Sequence, residues 1–265
     1  MIDYEKLCND VCIISKEVGN YIKVESLKLR STDVEVKGIH NFVTYVDKTS
    51  EKMIVKALQK LIPEAGYIVE ENTIDKKSNA YNWIIDPLDG TTNFIHGVPC
   101  YCISIALMKE QELVLGVIYE INQNECFYAW KGSSAFLNGI KINVTKSAQL
   151  KDSLLATGFP YYDYQHLDGY MDFFKYLMIE SRGVRRLGSA AVDLAYVACG
   201  RFDGFYEYSL NPWDVAAGAF IVQQAGGKVC DFKGGDNYVF GQEIVAANPY
   251  VIDSILVNLQ RFFDK

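Results

Sequence analysis

A chain of 265 residues, 49% hydrophobic and 22% charged, is long enough to bury a large core as one large domain or two small ones. Its net charge of −7, with no Lys/Arg block longer than a pair, argues against a nucleic-acid partner, which needs a basic face. No apolar run approaches the roughly 20 residues that span a bilayer, and MIDYEKLCND carries acids where a leader would be basic, so a cytoplasmic protein without a membrane partner is expected.

Leu7, Val11, Ile14, Val18 and Ile22 recur at helical spacing and predict an opening amphipathic helix. Asp47 stands where an N-cap belongs, ahead of a second apolar stripe (Ile54, Val55, Leu58, Leu61) that Pro63 stops. WII at 83–85 reads as a short buried strand ended by Pro87. YCISIALM, ELVLGVIY and CFYAW, between Tyr101 and Trp130, read as an antiparallel meander. Past about residue 150 strands and helices alternate: LLATGF, a helix near Met171 to Glu180, another over Ser189 to Ala198 closed by Gly200, then the strand GFYEY. NPWDVAAGAFIVQQAGG is a helix with clear ends, Asn211 as N-cap, Pro212 first inside and Gly226 at the close. Asp214 then falls in its first turn, where the dipole favours a negative group. KVCDF, EIVAANP and a helix near Ile252 to Phe262 complete the chain.

Seven cysteines form no C-x-x-C pair, and three histidines give no zinc-ligand spacing, so reduced, mostly buried thiols are expected. The chain has no internal repeat and no low-complexity segment.

In WIIDPLDGTTNFIHG (83–97) an apolar run leads directly into Asp86 and, three residues on, Asp89. Asp, Pro and Gly populate surface turns for backbone reasons alone, so the stretch can be read as an ordinary turn. DGTTN, however, sets backbone N–H groups and hydroxyls beside the acids, as a phosphate cradle would. An EF-hand starting at Asp86 would want an acid and a Glu where this chain has Leu88 and Gly97. The D-x-D-G-T of haloacid-dehalogenase phosphatases spaces its acids two apart, whereas these are three apart.

WIIDPLDGTTNF resembles a signature of the inositol monophosphatase family, within the lithium-sensitive, Mg²⁺-dependent sugar phosphatases. PWDVAAGAFIVQQAGG resembles the family's second signature, with Gln224 in place of Glu. NFVTYVDKTSE and IVEEN resemble two further elements, and all four occur in the family's order over nearly the whole chain. The resemblance implies an α/β fold of αβαβα layers, with an antiparallel sheet in the first half and a smaller, mostly parallel sheet in the second. It also implies a homodimer. Residues 1–145 would form an N-terminal subdomain with most metal ligands, and 146–265 a C-terminal one carrying Asp214 and the substrate contacts.

Carried over position by position, the resemblance makes Glu70, Asp86 and the Leu88 carbonyl ligands of one Mg²⁺. Asp86, Asp89 and Asp214 would hold a second, and a weaker third would sit near Glu70. Gly90 and Thr91 would donate backbone N–H groups to the phosphate, and Asp47 would bond Thr91 and help to orient the attacking water. The reaction implied is hydrolysis of a phosphate monoester by direct in-line attack of water, with no covalent phosphoenzyme. Electrostatics supports the set. Five ionised acids at one site carry a charge of about −5, and each like pair at ~4 Å costs on the order of 4 kcal/mol at a dielectric near 20. Such a cluster takes up protons or binds cations, and an all-oxygen donor set suits Mg²⁺.

For the substrate, the resemblance points to Glu207, Ser189, Ala190 and Asp89 as contacts to polyol hydroxyls, with Asp214 nearby. A solvated strand-end acid is the plain alternative for Glu207. Lys37 matches a lysine of the family's active-site loop, or is a solvated loop lysine. Asn41 replaces an Asp of many relatives and would weaken the third-metal shell. Arg185 and Arg186 suit a subunit interface, the site edge or the surface equally. The intact TTNF favours myo-inositol 1-phosphate over fructose 1,6-bisphosphate, 3′-phosphoadenosine phosphates or histidinol phosphate. A non-catalytic regulatory protein on the same scaffold is the alternative from another class, since some bacterial relatives bind transcription machinery.

Overall fold

The computed structural model describes residues 2–28, 34–38, 41–160 and 163–263, with the backbone alone at 34–38 and 41–43. Lys37 and Asn41 therefore have side chains outside the described residues. The first helix, α1 (Tyr4–Ser26), begins at Asp3, whose side chain accepts from the Lys6 N–H, and it buries Leu7, Val11, Val18 and Ile22 as their spacing predicts. Strands β1 (Val34–Gly38) and β2 (Asn41–Thr44) pair antiparallel and lead into α2 (Tyr45–Leu61). The N-cap of α2 is Thr44 rather than Asp47. Asp47 sits at the third helical position and reaches back to the Thr44 N–H, and this capping box satisfies two orphan donors where an Asp47 cap would satisfy one.

Strands β3 (Gly66–Val69) and β4 (Tyr81–Asp89) are parallel, and the short helix α3 (Thr91–His96) follows β4. β5 (Cys102–Lys109), β6 (Glu112–Glu120), β7 (Glu125–Trp130), β8 (Ala135–Leu137) and β9 (Ile140–Ile142) complete a seven-stranded sheet in sequence order, antiparallel from β4 onward. Pro87 does not end β4. The strand runs on to Asp89, and its register on β5 slips between Asp86 and Asp89, so the proline falls in a bulge where its missing N–H breaks no ladder bond.

The second half runs β10 (Leu154–Thr157), α4 (Leu167–Glu180), β11 (Gly183–Arg185), α5 (Ala190–Ala198), β12 (Gly204–Tyr208), α6 (Pro212–Gln224), β13 (Lys228–Cys230), β14 (Glu243–Ala247) and α7 (Ile252–Phe263). Its sheet has the order β11-β10-β12-β14-β13. It is mostly parallel, as expected, with four of its five strands running one way. β10 is parallel to β11 and β12, but β14 is antiparallel to both its neighbours. The α6 crossover brings β13 back parallel to β12. β14 then follows β13 without a helix, slots between the two and must run the other way.

Five layers result, as expected. Helices α1 and α2 cover one face of the large sheet, α5 and α6 fill the space between the sheets, and α4 and α7 cover the far face of the small one. The large sheet is buried on both sides, Trp83 and Ile85 facing α1 and α2 while Ile84 faces the middle layer. That layer is built from small residues, Ala190, Ala191, Ala195, Ala216, Ala217 and Ala219 among them, so helix and sheet backbones come close. At Gly116 of β6 an added Cβ would lie 2.7 Å from the Ala217 carbonyl oxygen. All seven cysteines are free and four are buried, as expected.

Candidate active site

Three acids converge from two elements. Asp86 and Asp89 flank the β4 bulge, which re-aims side chains that regular pleating would place differently. Asp214 arrives on the first turn of α6. One carboxylate oxygen from each lies within 4.8 Å of the others. Each acid is also anchored: Asp86 Oδ1 accepts from the Leu88 N–H at 2.8 Å, and Asp214 Oδ2 accepts from the Asn211 N–H at 2.7 Å. Asp89 Oδ2 accepts from Ser189 Oγ at 2.6 Å and the Ala191 N–H at 2.8 Å, which ties β4 to the start of α5. A carboxylate has about four lone-pair sites, so anchoring one oxygen leaves the other able to ligate a cation.

Glu70 follows directly on β3, whose parallel pairing with β4 carries it to the same cavity. Gly90 adopts a left-handed φ of 94° to turn the chain from β4 into α3, a conformation a side chain there would resist. It places Thr91, whose hydroxyl lies 3.0 Å from both Asp47 Oδ1 and the Leu88 carbonyl. Asp47 stands behind Thr91, fully buried, with its Oδ2 held by the Thr44 N–H and hydroxyl.

Burial is the leading cause of a raised pKa at every one of these acids. It pushes Asp214 up to about 7, helped by the Asp89 charge, and Asp89 up to about 6 against its hydrogen bonds from Ser189 and Ala191. Asp86 is raised well above its ordinary value by burial and by the charges of Glu70, Asp89 and Asp214, and Glu70 by burial and the Asp214 charge against a hydrogen bond with Asp86. Asp47 is raised as well, burial outweighing the bonds from Thr44 and Thr91. Such a cluster holds protons unless cations replace them. The donors are all oxygen, which fits a hard divalent ion and not zinc.

The cavity extends past the cluster to Ser189, Ala190 and Glu207, so every substrate-contact position expected from the sequence lines it, with Gly90, Thr91 and Leu88. Glu207, on β12, is 7% exposed, and it occupies the space over Gly158 where a Cβ would lie 2.0 Å from Oε1. Arg186 also lines the cavity, with its guanidinium 5.4 Å from the Phe159 ring centre, whereas Arg185 is exposed at the end of β11. Gln224 closes α6, outside the cavity.

Sequence reasoning missed Asp193, Gly158, Ser209 and Trp213, which line the same space. Asp193 follows Ser189 by four residues, one helical turn, but an Asp at that spacing reads equally as a solvated helix face. Ser209 carries a left-handed φ of 67°, strained for a residue with a side chain, at the bend between β12 and α6. Nothing in its local sequence announces it.

Residues 4–264 match the model of the inositol monophosphatase family. The Nus factor SuhB of Escherichia coli strain K12 is 40% identical over 247 residues, which cover 93% of this chain and 92% of that one. Among solved structures, the extragenic suppressor protein suhB from Bartonella henselae aligns with a TM-score of 0.92 at 36% identity, over 97% of this chain and 99% of its own. A Thermotoga maritima IMPase aligns with a TM-score of 0.87 at 34% identity, over 96% of each chain.

Proposed function

The chain belongs to the inositol monophosphatase family, and on that premise we propose that it is a Mg²⁺-dependent phosphate monoester hydrolase acting on myo-inositol 1-phosphate. The observation that carries the reading is the meeting of Asp86, Asp89 and Asp214 around one point. Glu70, Asp86, the Leu88 carbonyl, Asp89 and Asp214 would hold two or three Mg²⁺. Bound there, the ions supply the positive charge that activates water and steadies the leaving oxygen. The backbone N–H groups of Gly90 and Thr91 would take the phosphate oxygens. Thr91 and Glu70 would orient the attacking water, with Asp47 holding the Thr91 hydroxyl in place. Ser189, Ala190, Glu207 and Asp89 would receive the polyol.

Phosphate release from myo-inositol 1-phosphate, fructose 1,6-bisphosphate, 3′-phosphoadenosine 5′-phosphate and histidinol phosphate tests this. Turnover should require Mg²⁺, fall with Li⁺ and favour the inositol ester. A strong preference for another ester reassigns the substrate, and turnover undiminished by EDTA removes the mechanism. The family resemblance also supports a homodimer, which sedimentation equilibrium would reveal as twice the 29.9 kDa chain mass.

The Nus factor designation of the E. coli relative supports a second reading, a binding role on the same scaffold. Asp214→Asn separates the two: loss of a cellular phenotype together with turnover favours catalysis, and its persistence in the inactive variant favours binding.

A further inference from the structure

The cavity contains a carboxylate that no step above uses. Asp193 lines it, is 1% exposed, and its Oδ1 has no hydrogen-bond partner among the described residues. Helix capping does not account for it. Ser189 already caps α5, its hydroxyl accepting from the Val192 N–H at 3.3 Å, and the Ala191 N–H is taken by Asp89. A buried carboxylate without a donor opposes folding, and such groups persist where a ligand brings the donor.

The surrounding charges narrow the ligand's chemistry. Glu207 and Asp89 are close enough to repel Asp193, and Arg186 is close enough to attract it. An anionic group arriving here would meet three carboxylates against one guanidinium. A hydroxyl brings a donor and no charge, and two carboxyl groups lining one cavity match two hydroxyls of one polyol.

We propose that Asp193 is a specificity-determining residue which, beside Glu207, accepts hydrogen bonds from hydroxyls of the substrate's polyol portion. The proposal deepens the phosphatase reading and takes the position of the phosphate from it. An ester whose leaving group lacks hydroxyls offers Asp193 nothing, so the residue should separate the two kinds of substrate.

Steady-state kinetics of Asp193→Asn and Asp193→Ala on myo-inositol 1-phosphate and 4-nitrophenyl phosphate test it, together with thermal melting. The ratio of kcat/KM for the inositol ester to that for the aryl ester should fall roughly 10- to 100-fold, mostly through KM, since the Asp193 hydrogen bond to a substrate hydroxyl is lost or weakened. The melting temperature should hold or rise, because a buried carboxyl oxygen without a partner is removed. Equal losses on both esters, or a lowered melting temperature, would mean a structural role and overturn the proposal. If the wild-type protein hydrolyses neither ester, the phosphatase reading fails by itself. Calorimetric titration of myo-inositol 1-phosphate into wild type and Asp193→Asn then decides: weaker binding to the variant supports the proposal, and equal or absent binding overturns it.

Discussion

Asp214 serves two purposes at one position. Its Oδ2 closes the start of α6 on the Asn211 N–H, and the same carboxylate faces Asp86 and Asp89. Asp214→Asn keeps an acceptor for the cap and removes the charge, so the helix should survive while Mg²⁺-dependent phosphate release falls by on the order of 10²–10³-fold. Circular dichroism and a phosphate assay on one preparation would check both halves. The raised carboxyls also set a pH dependence. Asp214 moves from 3.8 to about 7 and Asp89 from 3.8 to about 6, so in that window the folded protein binds more protons than the unfolded chain. Stability of the metal-free protein should therefore fall as pH rises from about 4 to about 7. Melting in EDTA at pH 5 and pH 8 should give the lower temperature at pH 8, with Mg²⁺ restoring it. A rise toward pH 8 in EDTA would contradict the clustering. At this scale the clustered acids Asp86, Asp89 and Asp214 were legible, chiefly through the family resemblance that WIIDPLDGTTN and PWD carry. Asp193 and Ser209 were hidden. An Asp on a helix reads as a solvated face until tertiary packing buries it, and a left-handed serine has no local signature.

Helix ends were the most readable elements. The Asn211 cap, Pro212 and Gly226 bracket α6 as their backbone chemistry requires. Two element-level readings differed because a local rule met a stronger neighbour. Thr44 took the α2 cap since Asp47 could complete the box, and β4 passed Pro87 since a bulge absorbed it. The seating of α6 on the sheet then fixes where Asp214 stands. Gly116→Ala would press a Cβ against the Ala217 carbonyl, one turn beyond Asp214. Urea unfolding should show a loss of about 1–3 kcal/mol, and Mg²⁺ affinity should drop in the folded variant. Lost stability with metal affinity intact would mean that the Asp214 carboxylate is placed independently of the helix seat.

Over the whole molecule the site lies where the layers meet. The large sheet supplies Asp86 and Asp89, the middle layer supplies Asp214 and Ser189, and the small sheet supplies Glu207. The five-layer order was readable from the resemblance and the alternation of elements. The direction of β14 was not, because a strand's pairing partner is a long-range choice that periodicity does not encode. A cation shared among these layers binds only the folded chain. Saturating Mg²⁺, ~100-fold above its Kd, should therefore add about 2.7 kcal/mol of stability, and a melting temperature indifferent to Mg²⁺ would speak against a shared ion. The most direct examination is anomalous diffraction from a crystal soaked in Mn²⁺, a hard ion with the same preference for oxygen ligands. Anomalous peaks bounded by Asp86, Asp89 and Asp214, with Glu70 coordinating, are expected. An empty cluster at saturating Mn²⁺, with those carboxylates ordered and turned apart, would contradict the proposed chemistry.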